Sequence, residues 1–340
     1  MFKPITIKDI AQALKVSTST VSRSLSDSYE INAATKLRVL EYAKEHKYKR
    51  NPIALSLKQR RSYSIGVSVC EVANSFFSQA IDGIESVAYR AGYHVIISQS
   101  HDSYERETIN LEHLANRSVD GLLVSMSAET KDFSHIQQLS EQGLPIVLFD
   151  RVIEGMDTHK VTSNNLEGAR GAIQGLIDLG YRRIAHIANA KHLSITRERM
   201  RGYSLALQQN GLSFDETLIR YCEHGGSVQS EVEQAVASIL DMHEKPDAIF
   251  VASDRLSNGC LTALRKHADR SAQPKICGFS NSDILDTLQP DFMRVRQPAF
   301  EMGEMAMNKL IHLIESKRRV TSFESIELDT ELVMTMDNLF

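Results

Sequence analysis

The sequence predicts two unlike parts: a small all-α head of helix-turn-helix form, and an α/β body of two doubly wound parallel sheets. Three observations carry this reading. Residues 5–25 hold two short helical patterns separated by a break of about four residues. From Tyr63 onward, apolar runs of strand length alternate with helical stretches, with starts 29, 27 and 24 residues apart in the first series. Charge divides at the same boundary. Residues 1–61 carry 13 Lys+Arg against 5 Asp+Glu, a balance of +8, whereas residues 62–340 carry 26 against 38, a balance of −12. A basic head on an acidic body suits a head that meets a polyanion and a body that repels one.

In the head, Thr6 can cap a helix over IKDIAQAL, with Asp9 in its first turn and Ile7, Ile10, Ala11 and Leu14 as the apolar stripe. Lys15-Val16 turns the chain and Ser17 caps a second helix whose inward face is Val21 and Leu25. The rest of that helix is nearly all small hydroxyl residues plus Arg23, a composition poor for core packing but suited to the floor and walls of the DNA major groove. Asn32 caps a third helix, to about Lys47, with Leu37, Leu40, Tyr42 and Ala43 available for a small core. Arg50–Arg61, RNPIALSLKQRR, reads as a linker with Pro52 in a helical first turn, too short to be stable alone.

The body shows strands at 65–69, 94–98, 121–125 and 145–149, then a second series at 183–188, 220–222, 248–252 and 275–279. Two such series imply two lobes with a cleft at the strand ends. The tail (MRVRQP at 293–298, a helix over 300–315, SIEL at 325–328) does not extend the second series regularly, so the chain is expected to cross back between lobes. The expected domains are a head at 1–49, a hinge at 50–61 and a body at 62–340. Its first lobe spans about 62–161 and 293–322, its second about 162–292 and 323–340.

Four scattered cysteines without CxxC spacing read as reduced thiols. The chain begins without an apolar signal-like run and holds none of membrane-spanning length, which points to a cytoplasmic protein with no membrane partner. No GxGxxG, GxxxxGK[ST], GxSxG or HExxH occurs, so an enzyme, a cofactor and a metal are not expected.

Taken together, ITIKDIAQALKVSTSTVSRSL, the hinge-like NPIALSLK, NSFF (74–77), VDGLLV (119–124), LPIVLFDR (144–151), RERMRGY (197–203), ASDRL (252–256) and CGFS (277–280) resemble, in order and spacing, the lac repressor/galactose repressor family of bacterial transcription regulators. The resemblance spans essentially the whole chain and implies a periplasmic-binding-protein-like body. It also implies a homodimer on a pseudo-palindromic double-stranded operator, with transcription set by a small ligand between the lobes. In that pattern Thr18, Ser19 and Arg23 face bases, and Arg23 can pair bidentately with guanine. Ser17, Thr20 and Ser22 fix register on phosphate. In the hinge Leu57 matches the residue wedged into the minor groove, with Asn51 and Ala54 beside it.

For the cleft the resemblance implies Asn74, Phe76, Phe77, Asp150, Arg151, Arg199 and Asp254, with Ser280 and Asn281 at the last strand of the second lobe. An aromatic face with carboxylates and guanidinium groups suits a polar cyclic ligand, a sugar, sugar acid or sugar phosphate. Two departures weaken the sugar pattern: Gly278-Phe279-Ser280-Asn281 lacks an acid after the aromatic, and His224-Gly225-Gly226-Ser227 stands where an aromatic is usual. The same residues serve induction or corepression, and repression or activation. Without a heptad extension after residue 330, a dimer is expected over a tetramer.

Overall fold

The computed structural model describes residues 5–48, 61–266, 273–285, 289, 291–318 and 320–334. The chain forms two compact units, 1–62 and 63–340. The hinge residues Asn51, Ala54 and Leu57 lie outside the described residues.

The first unit holds α1 (Ile7–Leu14), α2 (Thr18–Leu25) and α3 (Ala33–Glu45). Each start is capped by the expected residue. The Thr6 hydroxyl accepts from Asp9 N while the Asp9 carboxylate accepts from Thr6 N at 2.8 Å, a reciprocal capping box. Ser17 Oγ accepts from Thr20 N at 3.0 Å, and Asn32 Oδ1 from Thr35 N at 2.8 Å. Lys15 ends α1 in the left-handed region, φ 53°, which makes the turn tight. Ile10, Val21 and Val39 are fully buried, with Ala11 and Ala43 around them. Leu37 and Leu40, expected inside, are instead exposed. The Asn32 cap sets the phase of α3 so that Val39 and Ala43, four residues apart, share its inner stripe.

The second unit contains two six-stranded sheets. The first is built from β1 (Ser64–Val69), β2 (His94–Gln99), β3 (Gly121–Val124), β4 (Ile146–Phe149), β5 (Lys160–Ser163) and β11 (Ser325–Leu328), in the order β11-β5-β4-β3-β1-β2. The second comprises β6 (Ile184–Asn189), β7 (Ile219–Cys222), β8 (Ala248–Val251), β9 (Lys275–Phe279), β10 (Met293–Arg296) and β12 (Glu331–Val333), in the order β12-β10-β9-β8-β6-β7. All pairings are parallel except β10 with β12. Helices α4 (Ser75–Arg90), α5 (Tyr104–Asn116), α6 (Ser134–Glu141) and α11 (Ala299–Glu315) belong to the first lobe. The second lobe carries α7 (Asn165–Asp178), α8 (Ser194–Gln209), α9 (Gln229–Leu240) and α10 (Asp254–Arg265). Central strands such as β3, β4 and β8 are buried at every residue, as their continuous apolar runs require.

The tail corrects the expected partition. Residues 293–296, assigned above to the first lobe, are β10, paired with β9 in the second sheet, and residues 325–328, assigned to the second lobe, are β11, paired with β5 in the first. Met293–Val295 is a buried run that completes the second core, so the chain crosses only afterwards, at Gln297-Pro298, and returns through Asp329-Thr330. No helix among the described residues is long and apolar enough to cross a membrane.

Candidate functional site

The head presents one face of α2 to solvent. Val21 and Ser24 turn inward, whereas Ser17, Thr18, Ser19 and Arg23 are exposed and Thr20 and Ser22 half-buried. Ser17 is already engaged as the cap, its hydroxyl 2.8 Å from those of Ser19 and Thr20. Arg23 sits in the last turn and pairs with Glu30 at 2.7 Å, a partner the sequence reading missed. The pair is more than half exposed on the arginine side, so it orients the guanidinium at a cost to DNA of no more than about 1 kcal/mol. Tyr29, beside Glu30, is 95% exposed and was likewise not anticipated.

In the body, loops at the carboxyl ends of strands from both lobes converge on one cavity. From the first lobe come Cys70 and Glu71 after β1, Asn74 capping α4, Phe76 and Phe77 in its first turn, Asp102 after β2, and Asp150 with Arg151 after β4. Asp102 and Asp150 both hold positive φ, 64° and 58°, a strained backbone conformation, and both line the cavity. The second lobe supplies Ile195 and Arg199 from α8, Gly225, and Ser253, Asp254 and Arg255 where α10 begins, with Gln297 at the crossover. About 40 Å³ remains free, room for water and far below the several hundred Å³ of a ligand site. The cleft is closed.

Charge is tightly matched inside it. Asp102 accepts from Arg151 Nη1 and from Ala128 N at 2.9 Å. Burial pushes its carboxyl up, but the Arg151 charge and these hydrogen bonds outweigh that and hold it below its ordinary value. Asp150 is pushed the other way, because burial exceeds the pull of Arg151 and Arg199, and among the described residues only Ser125 Oγ donates to its carboxylate, at 3.4 Å. Burial also raises Asp254, despite the Ser280 hydroxyl and the N–H groups of Asn281 and Ser75. Arg199, 1% exposed, lies with its guanidinium 3.7 Å from the Phe279 ring centroid and donates to Asn165 Oδ1 at 2.8 Å and to Ala252 O. Burial lowers it to about 10, with the Asp150 charge opposing.

Seven of the nine cleft residues expected from sequence therefore line this cavity: Asn74, Phe76, Phe77, Asp150, Arg151, Arg199 and Asp254. Some do other work as well. Asn74 Oδ1 already accepts from Phe76 N and Phe77 N, and both phenylalanines belong to the first lobe's core, Phe77 packing edge-on to Phe149. Ser280 and Asn281 do not line the cavity. Ser280 supports Asp254 from behind, and Asn281 ties the lobes, donating to Gln79 Oε1 at 2.7 Å and to Gln297 O at 2.8 Å. Glu71, Asp102 and Arg255 were missed. Arg255 lies inside ASDRL, but nothing local marks it as inward-facing, and its partners stand more than 150 residues away.

Close to Arg199, whose charge it senses, His186 is fully buried between Phe250 and Tyr203, ring centroids 4.8 and 5.3 Å away, and donates from Nδ1 to Phe250 O at 3.0 Å. Burial lowers its pKa to about 4. As pH falls below about 6.5 the unfolded chain takes up a proton that the folded one refuses, so stability declines until about pH 4 and this contribution then levels off. The shift corresponds to about 3 kcal/mol. His186→Asn keeps a donor for Phe250 O without the titration. The urea midpoint of the body is therefore expected to fall less between pH 7 and pH 4.5 in the variant than in the parent, and parallel declines would refute the assignment.

Two lobes closed on a polar cleft, joined in one chain to a capped helix pair with an exposed hydroxyl-and-arginine face, define a DNA-binding regulator with a ligand-binding-type body. Residues 62–319 match the model for periplasmic binding proteins and the sugar-binding domain of the LacI family, and residues 6–51 match that for bacterial regulatory proteins of the lacI family. The chain belongs to the LacI family and is a transcriptional repressor of that family. It is 30% identical over 313 residues to the transcriptional repressor PurR of Vibrio atlanticus, covering 92% of each chain. Its fold is similar to that of a transcriptional regulator CelR–cellobiose complex, at 28% identity and TM-score 0.70, covering 97% of this chain and 98% of that one. It is also similar to the lac repressor dimer bound to operator and the anti-inducer ONPF, at 22% identity and TM-score 0.79 with the same coverage, a likeness of fold.

Proposed function

We propose that the protein is a homodimeric repressor that binds a pseudo-palindromic operator through its heads (1–49) and hinges (50–61), under control of a small sugar or sugar derivative held in the cleft of the body. The observation that carries this is the convergence of charged and aromatic side chains from both lobes on one closed cavity, while the exposed basic surface sits in the other unit. Linkage supplies the control. If ligand and operator favour different closures of the lobes, each changes the affinity of the other by the same factor.

The charges lining the cavity narrow the ligand. Four carboxylates (Glu71, Asp102, Asp150, Asp254) face three guanidinium groups (Arg151, Arg199, Arg255). Arg151 and Arg255 pair with carboxylates and Arg199 is held by the neutral groups Asn165, Ala252 O and Phe279, so the lining carries one more carboxylate than guanidinium. Neutral polyhydroxylated compounds are therefore favoured over sugar acids and sugar phosphates. A relative bound to cellobiose supports the same class. Thermal-shift screening of the full chain against neutral sugars and their phosphates tests this, since a ligand specific for the native state raises Tm with its concentration. Stabilisation by phosphates alone would reverse the choice.

For the DNA end, Leu57→Ala is expected to weaken operator binding at least about tenfold while leaving non-specific binding nearly unchanged. Arg23→Ala is expected to relax preference at one symmetric base pair, at a cost of roughly 1–3 kcal/mol per site. Electrophoretic shifts on operator and random duplexes read both. Equal losses on the two DNAs for Leu57→Ala, or unchanged base preference for Arg23→Ala, would reassign these residues to packing and to phosphate.

A further inference from the structure

Arg255 crosses the cleft. It belongs to α10 of the second lobe, yet its Nη2 lies 2.5 Å from Glu71 Oε2 and its Nη1 3.6 Å from Asp102 Oδ2, both on the first lobe. Arg255 and Glu71 keep only 24% side-chain exposure and Asp102 4%, so this is a largely desolvated pair lining the small cavity that remains. Gly225 of the second lobe reinforces the contact. It sits at φ +60°, where a Cβ would come within 3.1 Å of Asp102 Oδ2, so the backbone closes directly onto that carboxylate.

The two walls carry opposite charge when considered apart. Glu71, Asp102, Asp150 and Arg151 give the first lobe's wall a formal balance of −2. Arg199, Arg255 and Asp254 give the second lobe's wall +1. Separating the lobes would pull a guanidinium from two carboxylates and expose an acidic wall facing a basic one. Coulomb attraction between the walls therefore favours closure without any bound molecule, set against the cost of desolvating the charges.

We propose that Arg255 is a tethered stand-in for the ligand: it occupies the cleft, holds the lobes shut when nothing is bound, and must be displaced from Glu71 and Asp102 before a ligand can settle. The proposal sets a specificity rule. The displacing molecule must offer hydrogen-bond donors to two carboxylates left without Arg255, which a hydroxyl or amine does, whereas an ionised phosphate or carboxylate group only accepts and is repelled there. The stand-in role rests on reading the cleft as the ligand site, whereas the clasp itself does not, and the experiment addresses the clasp alone.

Single-molecule energy transfer on the full chain, free of ligand and DNA, measures closure. Labels go on Lys131→Cys of the first lobe and Glu223→Cys of the second, both exposed positions, in chains diluted with an excess of unlabelled protein. Cys222, Cys260 and Cys277 are buried away from the cleft, and Cys70, which lines it, is replaced by serine in every labelled chain. The parent is expected to show one closed population. Arg255→Met is expected to lower the closed-to-open ratio about tenfold, the scale of one charge-assisted hydrogen bond. Glu71→Gln should shift it in the same direction but less, because Asp102 still faces Arg255, and it serves in place of Arg255→Met should that variant fail to fold. The charge-swapped pair Glu71→Arg with Arg255→Glu should recover part of the closed population. An open parent, or variants as closed as the parent, would overturn the proposal.

Discussion

Valine at position 303 is expected to unfold the first lobe. Gly303 lies in α11 where that helix meets α4, and a Cβ built there falls 2.0 Å from the carbonyl oxygen of Ala80. The contact is reciprocal, since a Cβ at Gly83 of α4 would fall 2.0 Å from the carbonyl oxygen of Phe300. Two helices are thus in backbone contact through paired glycines, and neither obstacle is a side chain that could rotate away. Alanine must force the helices apart, which costs roughly 1–3 kcal/mol even after its better helix propensity is credited. Valine adds two branched methyl groups at the same point and should exceed about 4 kcal/mol, a large share of a domain's stability. Because α11 follows the Gln297-Pro298 crossover and covers the core of the first sheet, the cleft should fail with it. Gly171 of α7 is the control. A Cβ there meets nothing within 4 Å, so Gly171→Ala should raise Tm slightly while Gly303→Ala lowers it. Circular-dichroism melts decide, and a Gly303→Ala variant at least as stable as the parent would show that the helices can part.

Such contacts mark where sequence reasoning stopped. The strands were legible wherever burial on both faces demands a continuous apolar run, as in GLLV and AIFV, and helix starts wherever a hydroxyl or amide cap precedes the pattern, as at Thr6, Ser17 and Asn32. Two strands passed unseen. KVTS at 160–163 and ELV at 331–333 are short, half polar and set at or near sheet margins, so they lack the apolar signal of their neighbours. The crossover of the tail was legible as an irregularity, but its order was not, because pairing of β10 with β9 is a long-range choice made by the second core. In the cleft, residues carried by local motifs were found. Asp102, Glu71 and Arg255 meet only after both lobes fold, and no spacing in the chain encodes that meeting. Glycine pairs such as Gly83 and Gly303, 220 residues apart, are invisible for the same reason.

Arg199→Met is the sharpest separation of stability from control. Arg199 and Arg294 are the two largest fully buried side chains among the described residues, and keeping Arg199 charged is costly: burial lowers it well below its ordinary value, to about 10, equivalent to about 3 kcal/mol. Its hydrogen bonds to Asn165 and Ala252 O and its stacking on Phe279 offset most of that. Methionine is of similar length, packs against Phe279 and carries no charge, while the Asn165 amide still donates to Ser163 O and Glu198. Relief of the buried charge is set against two buried acceptors, Asn165 Oδ1 and Ala252 O, left without their donor, so Tm should fall only modestly. The cost appears in function. Asp150 loses one of its two cationic neighbours and the second lobe's wall loses one of its two guanidinium groups, so ligand affinity should drop at least about a hundredfold, the scale of removing a buried charged hydrogen-bond donor. Thermal shift in the ligand found by screening, together with ligand-driven change in operator binding, reads both sides. A variant that melts far below the parent but still responds to ligand would make Arg199 a structural pillar, and the reading of the cleft would then have to rest on Arg151 and Arg255.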